Sequence, residues 1–230
     1  MRRSKLYKSQ LSTIEENRVY DILDAVKALK EMPQPKFNQT VEVAFKLGID
    51  PRKSDQTVRG AIPLPKGTGK EVSVCVVATS AEAEEAKAAG ADFVGMEDII
   101  EKIKDGWLEF DVLIATPEAM KQVRPLGRQL GPRGLMPNPK TGTVTEQTGN
   151  AVKEAKAGRV EFRADRGACV HVPIGKVSFA AEDLVENFEA VLHAIEAAKP
   201  ATAKGVYIQS CAATATMSPS VKINLKQYAR

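Results

Sequence analysis

Aromatic side chains are scarce in these 230 residues: Phe, Trp and Tyr together make up 5%, with one tryptophan, Trp107. That leaves little material for the stacking platforms that bind single-stranded nucleic acid. Cysteine and histidine are scarcer still. Cys75, Cys169 and Cys211 lie far apart with no C-x-x-C pair, and only His171 and His193 could complete a metal site. A closed zinc site needs four clustered ligands, and a disulfide framework needs an even count in an oxidising compartment. Neither is supported, so no metal or cofactor is expected, and the three thiols are expected to be buried and reduced. No apolar run approaches the roughly 18 to 20 residues of a membrane helix. The basic start, Met1 to Leu6, is not followed by the apolar stretch of a secretory signal, so a cytosolic location is expected.

The usual marks of catalysis are also missing. Lys66-Gly67-Thr68-Gly69-Lys70 looks like the end of a phosphate-binding P-loop, but that motif needs Gly at 64 and Ser or Thr at 71, where Leu64 and Glu71 stand. The string also precedes a strand instead of following one. G-x-G-x-x-G, G-x-S-x-G and H-E-x-x-H do not occur, which removes the markers of dinucleotide binding, serine hydrolysis and zinc proteolysis. His193 falls on a charged helix and reads as solvated. His171 falls in an alternating strand, where a structural hydrogen bond and a ligand contact both stay open.

What the chain does have is an uneven charge. Its net charge is +4, with 43% hydrophobic and 27% charged residues, a globular balance. Residues 1–66 carry 13 basic and 8 acidic side chains, residues 67–158 carry 11 and 14, and residues 159–230 carry 9 and 7. The two ends are basic and the middle is acidic. A basic face beside an acidic one suits polyanion binding, because phosphate neutralisation releases counterions while the other face avoids indiscriminate sticking.

Periodicity divides the chain in the same way. Ser12 and Thr13, each followed three residues later by Glu15 or Glu16, give a capping-box pattern, and Val19, Ile22, Leu23, Val26 and Leu29 recur at helical spacing. A helix is expected over 14–31, stopped by Pro33 and Pro35. Val41, Val43, Phe45 and Leu47 then alternate with polar neighbours as a half-buried strand. Residues 50–69 read as loop and linker. From Glu71 short apolar strands alternate with helices, the βαβ pattern of a parallel sheet, until loop chemistry sets in at Gly131. Strands return over 160–164 and 168–174, followed by a helix over 181–198 and strands over 206–211 and 221–225. Neither end segment has an adequate core alone. The expected fold is therefore α/β and α+β in two domains. Residues 1–66 plus 159–230 form a discontinuous α+β domain, and residues 67–158 form an inserted, Rossmann-like α/β domain.

With few aromatics, the nucleic-acid reading that remains is recognition of folded RNA through phosphates, 2′-hydroxyls and shape. Two stretches suit it. Lys36-Phe37-Asn38-Gln39-Thr40 gathers a cation, an aromatic, two amides and a hydroxyl, although Phe37 could equally belong to the core. The stretch 210–220 places Thr214, Thr216, Ser218 and Ser220 around Met217 and Pro219 with no acidic residue, although Ser/Thr-rich turns between strands are common.

Gly131-Pro132-Arg133-Gly134-Leu135-Met136-Pro137-Asn138-Pro139-Lys140-Thr141-Gly142-Thr143-Val144 closely resembles the signature of the large-ribosomal-subunit protein one family (ribosomal protein L-one, uL-one), of the bacterial type. Lys36 to Leu47, Gly175 to Phe179 and Thr216 to Val221 also fall where that family has matching segments. The resemblance implies a split two-domain protein that is not an enzyme. It implies binding to the mobile stalk of 23S rRNA in the large (50S) subunit, help in releasing deacylated tRNA from the exit site, and repression of its own operon by binding the mRNA leader. By position it implies RNA-facing roles for Lys36, Phe37, Thr40, Ser210, Thr216, Met217 and Ser218, with Asp165, Arg166 and His171 as an extension and Arg133 and Lys140 as contacts from the inserted domain. The family usually has Gly where this chain has Ser218. The alternative from another class is a small-molecule-binding or catalytic α/β protein that uses the inserted domain, which predicts stabilisation by a nucleotide or metabolite.

Overall fold

The computed structural model describes residues 3–15 and 18–225, apart from the side chains of Ser80 and Lys140. The first chain segment carries α1 (Lys5–Leu11), β1 (Val19–Tyr20), α2 (Ile22–Glu31), β2 (Thr40–Leu47) and β3 (Arg59–Pro63). The middle carries β4 (Val74–Val77), α3 (Ser80–Ala88), β5 (Phe93–Gly95), α4 (Glu97–Lys104), β6 (Val112–Ala115), α5 (Met120–Val123), α6 (Gly127–Leu130) and α7 (Thr148–Lys156). The last carries β7 (Arg159–Arg163), β8 (Cys169–Lys176), α8 (Ala181–Ala197), β9 (Ile208–Ala215) and β10 (Val221–Ile223). These elements gather into two compact units, one of residues 1–69 and 160–230, the other of residues 70–159. No helix among the described residues is long and apolar enough to cross a membrane.

In the unit built from both chain ends, the described strands form a sheet in the order β1-β10-β9-β2-β8, with β3 and β7 paired beside it. The sheet is antiparallel except where β1 runs parallel to β10. In β2 the alternation seen in sequence is realised: Val41, Val43, Phe45 and Leu47 are buried while Glu42 and Lys46 are exposed. The apolar side meets Ile22, Val26 and Leu29 of α2 and Leu184, Phe188, Val191 and Ile195 of α8, with the Phe45 and Phe188 rings stacked at 6.0 Å. Truncating so deeply buried a phenylalanine costs about 3 to 5 kcal/mol. Both helices cover the same side of the sheet, which leaves the other side to polar and small residues.

In the other unit, β4 lies between β5 and β6, all parallel. Its four residues are buried, as a central parallel strand covered on both faces requires. Cys75 and Val77 join the cluster formed with Ile99, Ile103 and Val123, while Val74 and Val76 face Ala86 and Val152. The result is a three-layer α/β arrangement.

Three local expectations change. The helix expected over 14–31 begins at Ile22, because Val19 and Tyr20 pair with Lys222 and Ile223 as a strand. Ser12 instead ends α1, a helix that the sequence pattern did not announce and that is capped by the Ser4 hydroxyl accepting from the Tyr7 N–H. Glu16, half of the capping pattern, lies outside the described residues. The 50–69 stretch contains β3, and the hydroxyl-rich 210–220 stretch is strand as far as Ala215.

Candidate nucleic-acid interface

Strand pairing sets out the uncovered side of the five-stranded sheet row by row. Ala44 lies opposite His171 on β8 and Ala212 on β9, and Ala212 in turn lies opposite Lys222 on β10. Lys46 lies opposite Cys169 and Ser210, and Glu42 opposite Pro173 and Thr214. His171, Ser210, Lys46 and Lys222 are exposed. Small alanines between cations and hydroxyls let a polyanion approach the sheet while donors reach its oxygens. The same period that buries one side of β2, β8 and β9 puts these groups on the other.

At the end of this face, β2 begins and β9 turns into β10. The Thr216 N–H donates to the Thr40 carbonyl at 3.1 Å, and the Thr40 N–H donates to the Thr216 hydroxyl at 3.2 Å. Lys176 donates to the Thr40 hydroxyl at 2.8 Å. Ala215 to Ser218 make a turn closed by the Ser218 N–H on the Ala215 carbonyl, 3.0 Å. Below it sits Gln39, only 1% exposed, whose side-chain oxygen accepts from the Met217 N–H at 2.7 Å and whose amide nitrogen donates to Gln34. Gln34 in turn donates to the Leu29 and Met32 carbonyls at the end of α2. The turn is thereby fixed from beneath through an amide relay that runs from buried Gln39 to exposed Gln34. On its outer side, Phe37 and Met217 are 52% and 54% exposed, so Phe37 is not a core residue. Lys36, next to Phe37 in the chain, is exposed as well.

Asp165 and Arg166 lie in the turn between β7 and β8, at the far end of the face. Asp165 Oδ1 accepts from the Cys169 and Gly167 N–H groups at 2.7 and 2.8 Å. The Cys169 hydrogen bond is the main cause that holds this carboxyl below its usual range, with Gly167 adding to it. Lys46 donates to the Gly167 carbonyl from the neighbouring strand. Asp165 therefore shapes the turn, and Arg166 is left exposed on it. Cys169 is only partly buried, unlike Cys75 and Cys211, because it stands on the uncovered side. Burial pushes the Cys75 thiol up to about 12 and the Cys211 thiol up as well, which keeps both protonated. Among the described residues, no cluster of His, Cys, Asp and Glu is arranged to hold a metal.

In the other unit, the 131–144 loop is knotted on itself. The Asn138 carbonyl accepts from the Thr141 and Thr143 hydroxyls, and the Asn138 N–H donates to Thr143 Oγ1 at 2.8 Å. The Ala115 N–H donates to the Thr143 carbonyl at 3.0 Å and the Thr145 N–H to the Ala115 carbonyl at 3.2 Å, which seats Val144 beside β6. Gly142 takes φ +66°, a left-handed conformation that strains any residue with a side chain, with the Arg159 guanidinium beside it. The loop's composition serves its own shape. Arg133 is exposed on its outer turn, and the Lys140 side chain lies outside the described residues.

The tip and the face hold groups that sequence reasoning passed over: Gln34 beneath the turn, and Lys46, Lys176 and Lys222 on the uncovered side; Gln39 stood in the stretch suited to RNA, but it is buried and supports the turn instead. The alternation in β2, β8 and β10 carried the signal for the lysines. The amide relay had none, since it joins residues 34, 39 and 217 only through folding.

The chain matches the model of the "Ribosomal protein L1p/L10e family" over residues 29–219. It is 52% identical over 224 residues to the "Large ribosomal subunit protein uL1" of Chlorobium phaeobacteroides, covering 97% of this chain and 98% of that one. It is 52% identical over 220 residues to the protein of the same name in Lactobacillus acidophilus, covering 96% of each. The one from Lactobacillus delbrueckii subsp. bulgaricus is 53% identical over 220 residues, 96% of this chain and 95% of that one. With a family match across most of its length and relatives of this identity along nearly all of it, the chain belongs to the ribosomal protein L1p/L10e family.

Proposed function

We propose that the unit made of both chain ends is the RNA-binding domain, and that it grips the stalk region of 23S rRNA through the uncovered sheet face and the Thr216-Met217-Ser218 tip. As a member of its family the chain is a structural, non-enzymatic constituent of the large ribosomal subunit and so a cytoplasmic protein. The inserted unit, with Arg133 and Lys140, adds weaker contacts. Seated on the stalk, the protein accompanies deacylated tRNA out of the exit site. The same surface takes the leader of its own operon mRNA and represses its translation.

The observation that carries this reading is the tip: Phe37 and Met217 stand out in solvent while Gln39 holds the Met217 N–H and Thr40 is bonded to Thr216. A surface organised in advance loses little conformational entropy on binding. Hydroxyls at Thr40, Ser210 and Thr216, with Lys36, Arg166 and His171, supply the phosphate and 2′-hydroxyl contacts that folded RNA offers. Replacing Thr216 or Met217 by Ala should weaken binding to a stalk-region rRNA fragment at least about tenfold, the scale of one lost base or sugar contact. Replacing Glu84, exposed on α3, should change it less than about twofold. Equal effects in a gel-shift titration reject the assigned face.

A further inference from the structure

A concavity lies at the opposite end of the sheet from the Thr216 tip. It is a groove of about 830 Å³ where β2 runs into the 48–56 turn and the 202–206 segment leads into β9, and its lining includes Lys46, Lys53, Lys204, Gln56 and Gln209. Gly48 makes its shape. A Cβ there would stand 2.2 Å from the Val206 carbonyl oxygen, so only glycine lets the two segments approach, and the Gly48 N–H donates to the Tyr207 carbonyl. Gln56 braces the wall by accepting from the Asp50 N–H at 2.8 Å and donating to the Thr202 carbonyl at 3.4 Å. Asp50, the groove's carboxylate, is turned to the Arg52 N–H at 3.1 Å.

The chemistry left facing outward is cationic. Lys53 and Lys204 are exposed, and neither forms an ion pair among the described residues. Val206, 73% exposed, adds an apolar ledge beside them. Two unneutralised ammonium groups and an apolar ledge fit a sugar-phosphate chain, with phosphates on the lysines and a ribose against the valine. The groove adjoins the uncovered face, because it shares Lys46 and lies one residue from Ser210 through Gln209. From Thr40 to Leu47 the strand covers about 23 Å at about 3.3 Å per residue.

We infer that the groove is a further RNA-backbone site, in which Lys53 and Lys204 hold phosphates of a strand that continues off the sheet face past Ser210. The inference rests on the RNA reading above and names where its strand goes next. The test uses the full chain and a stalk-region rRNA fragment over a series of KCl concentrations, with Lys53→Gln, Lys204→Gln, Thr216→Ala and, as a charge control on the helix-covered side, Lys27→Gln. Each groove variant should weaken binding several-fold at physiological salt and lower the slope of log affinity against log salt by about 0.7 to 0.9, one phosphate contact each. Lys27→Gln should leave the slope unchanged, and all four should keep the native circular dichroism spectrum. Native slopes for both groove variants, with binding still weakened by Thr216→Ala, overturn the groove and leave the face. Weakening at the lysines with native binding by Thr216→Ala does the reverse. Native behaviour in all of them removes both.

Discussion

Ser218 stands third after Ala215 in the tip turn, and its hydroxyl is fully employed. It accepts from the Ala215 N–H at 2.8 Å and can donate to the Pro219 carbonyl at 3.0 Å. Ala168 is the one described non-glycine residue with positive φ, so Ser218 keeps an ordinary backbone and needs no glycine. Ser218→Gly should therefore destabilise the protein by about 1 to 2 kcal/mol, from a lost hydrogen bond and a more flexible unfolded chain. A lower urea midpoint with an unchanged denaturant slope shows this, and an unchanged midpoint contradicts it. The residues at the tip were partly legible in the sequence. Lys36, Phe37, Thr40, Thr216 and Met217 could be picked out by type, but pattern alone left Phe37 between core and surface. The choice depends on Gln39 turning inward to bind the Met217 N–H, a contact across 178 positions that no local spacing encodes.

At the scale of elements, the turn between β7 and β8 is held by a charge. Asp165 receives two backbone N–H groups, which favour its ionised form and hold its carboxyl below the ordinary value of 3.8. A lowered folded-state value means that this contribution to stability is present above the unfolded-state value and is lost as pH falls through the folded one. The Cys169 amide proton, followed by NMR, should shift with a midpoint below 3.8 and lose that titration in Asp165→Asn. A midpoint at or above 3.8 contradicts the arrangement. Ala168, at φ +58° in the same turn, reports how tightly the chain is bent there. Elements with strong periods were the legible ones: β2, β6 and α8 lie where alternation, burial and helical spacing put them. The start of α2 was not, because Val19 and Tyr20 fit a helical face but pair with β10, a partner about 200 positions away. Tertiary pairing overrides local propensity there. Helix α1 escaped notice because its seven residues show little apolar period, and β9 ran past its expected end because Ala212 to Ala215 give no contrast between faces.

For the molecule as a whole, uneven charge and a change of rhythm were the readable signals. Charge pointed to a polyanion and the scarcity of aromatics pointed away from single strands, but neither identifies a ribosomal partner. That came from the 131–144 signature, whose hydrogen bonds serve its own loop in the other unit and not the face proposed to bind RNA. The central claim is specific recognition of stalk rRNA. Binding of the purified protein to a stalk-region 23S rRNA fragment and to a scrambled RNA of equal length, at several salt concentrations, tests it most directly. The account predicts a strong preference for the stalk fragment that survives physiological salt, with a salt slope that counts a limited set of phosphates. Equal binding to both RNAs that vanishes together as salt rises would contradict it.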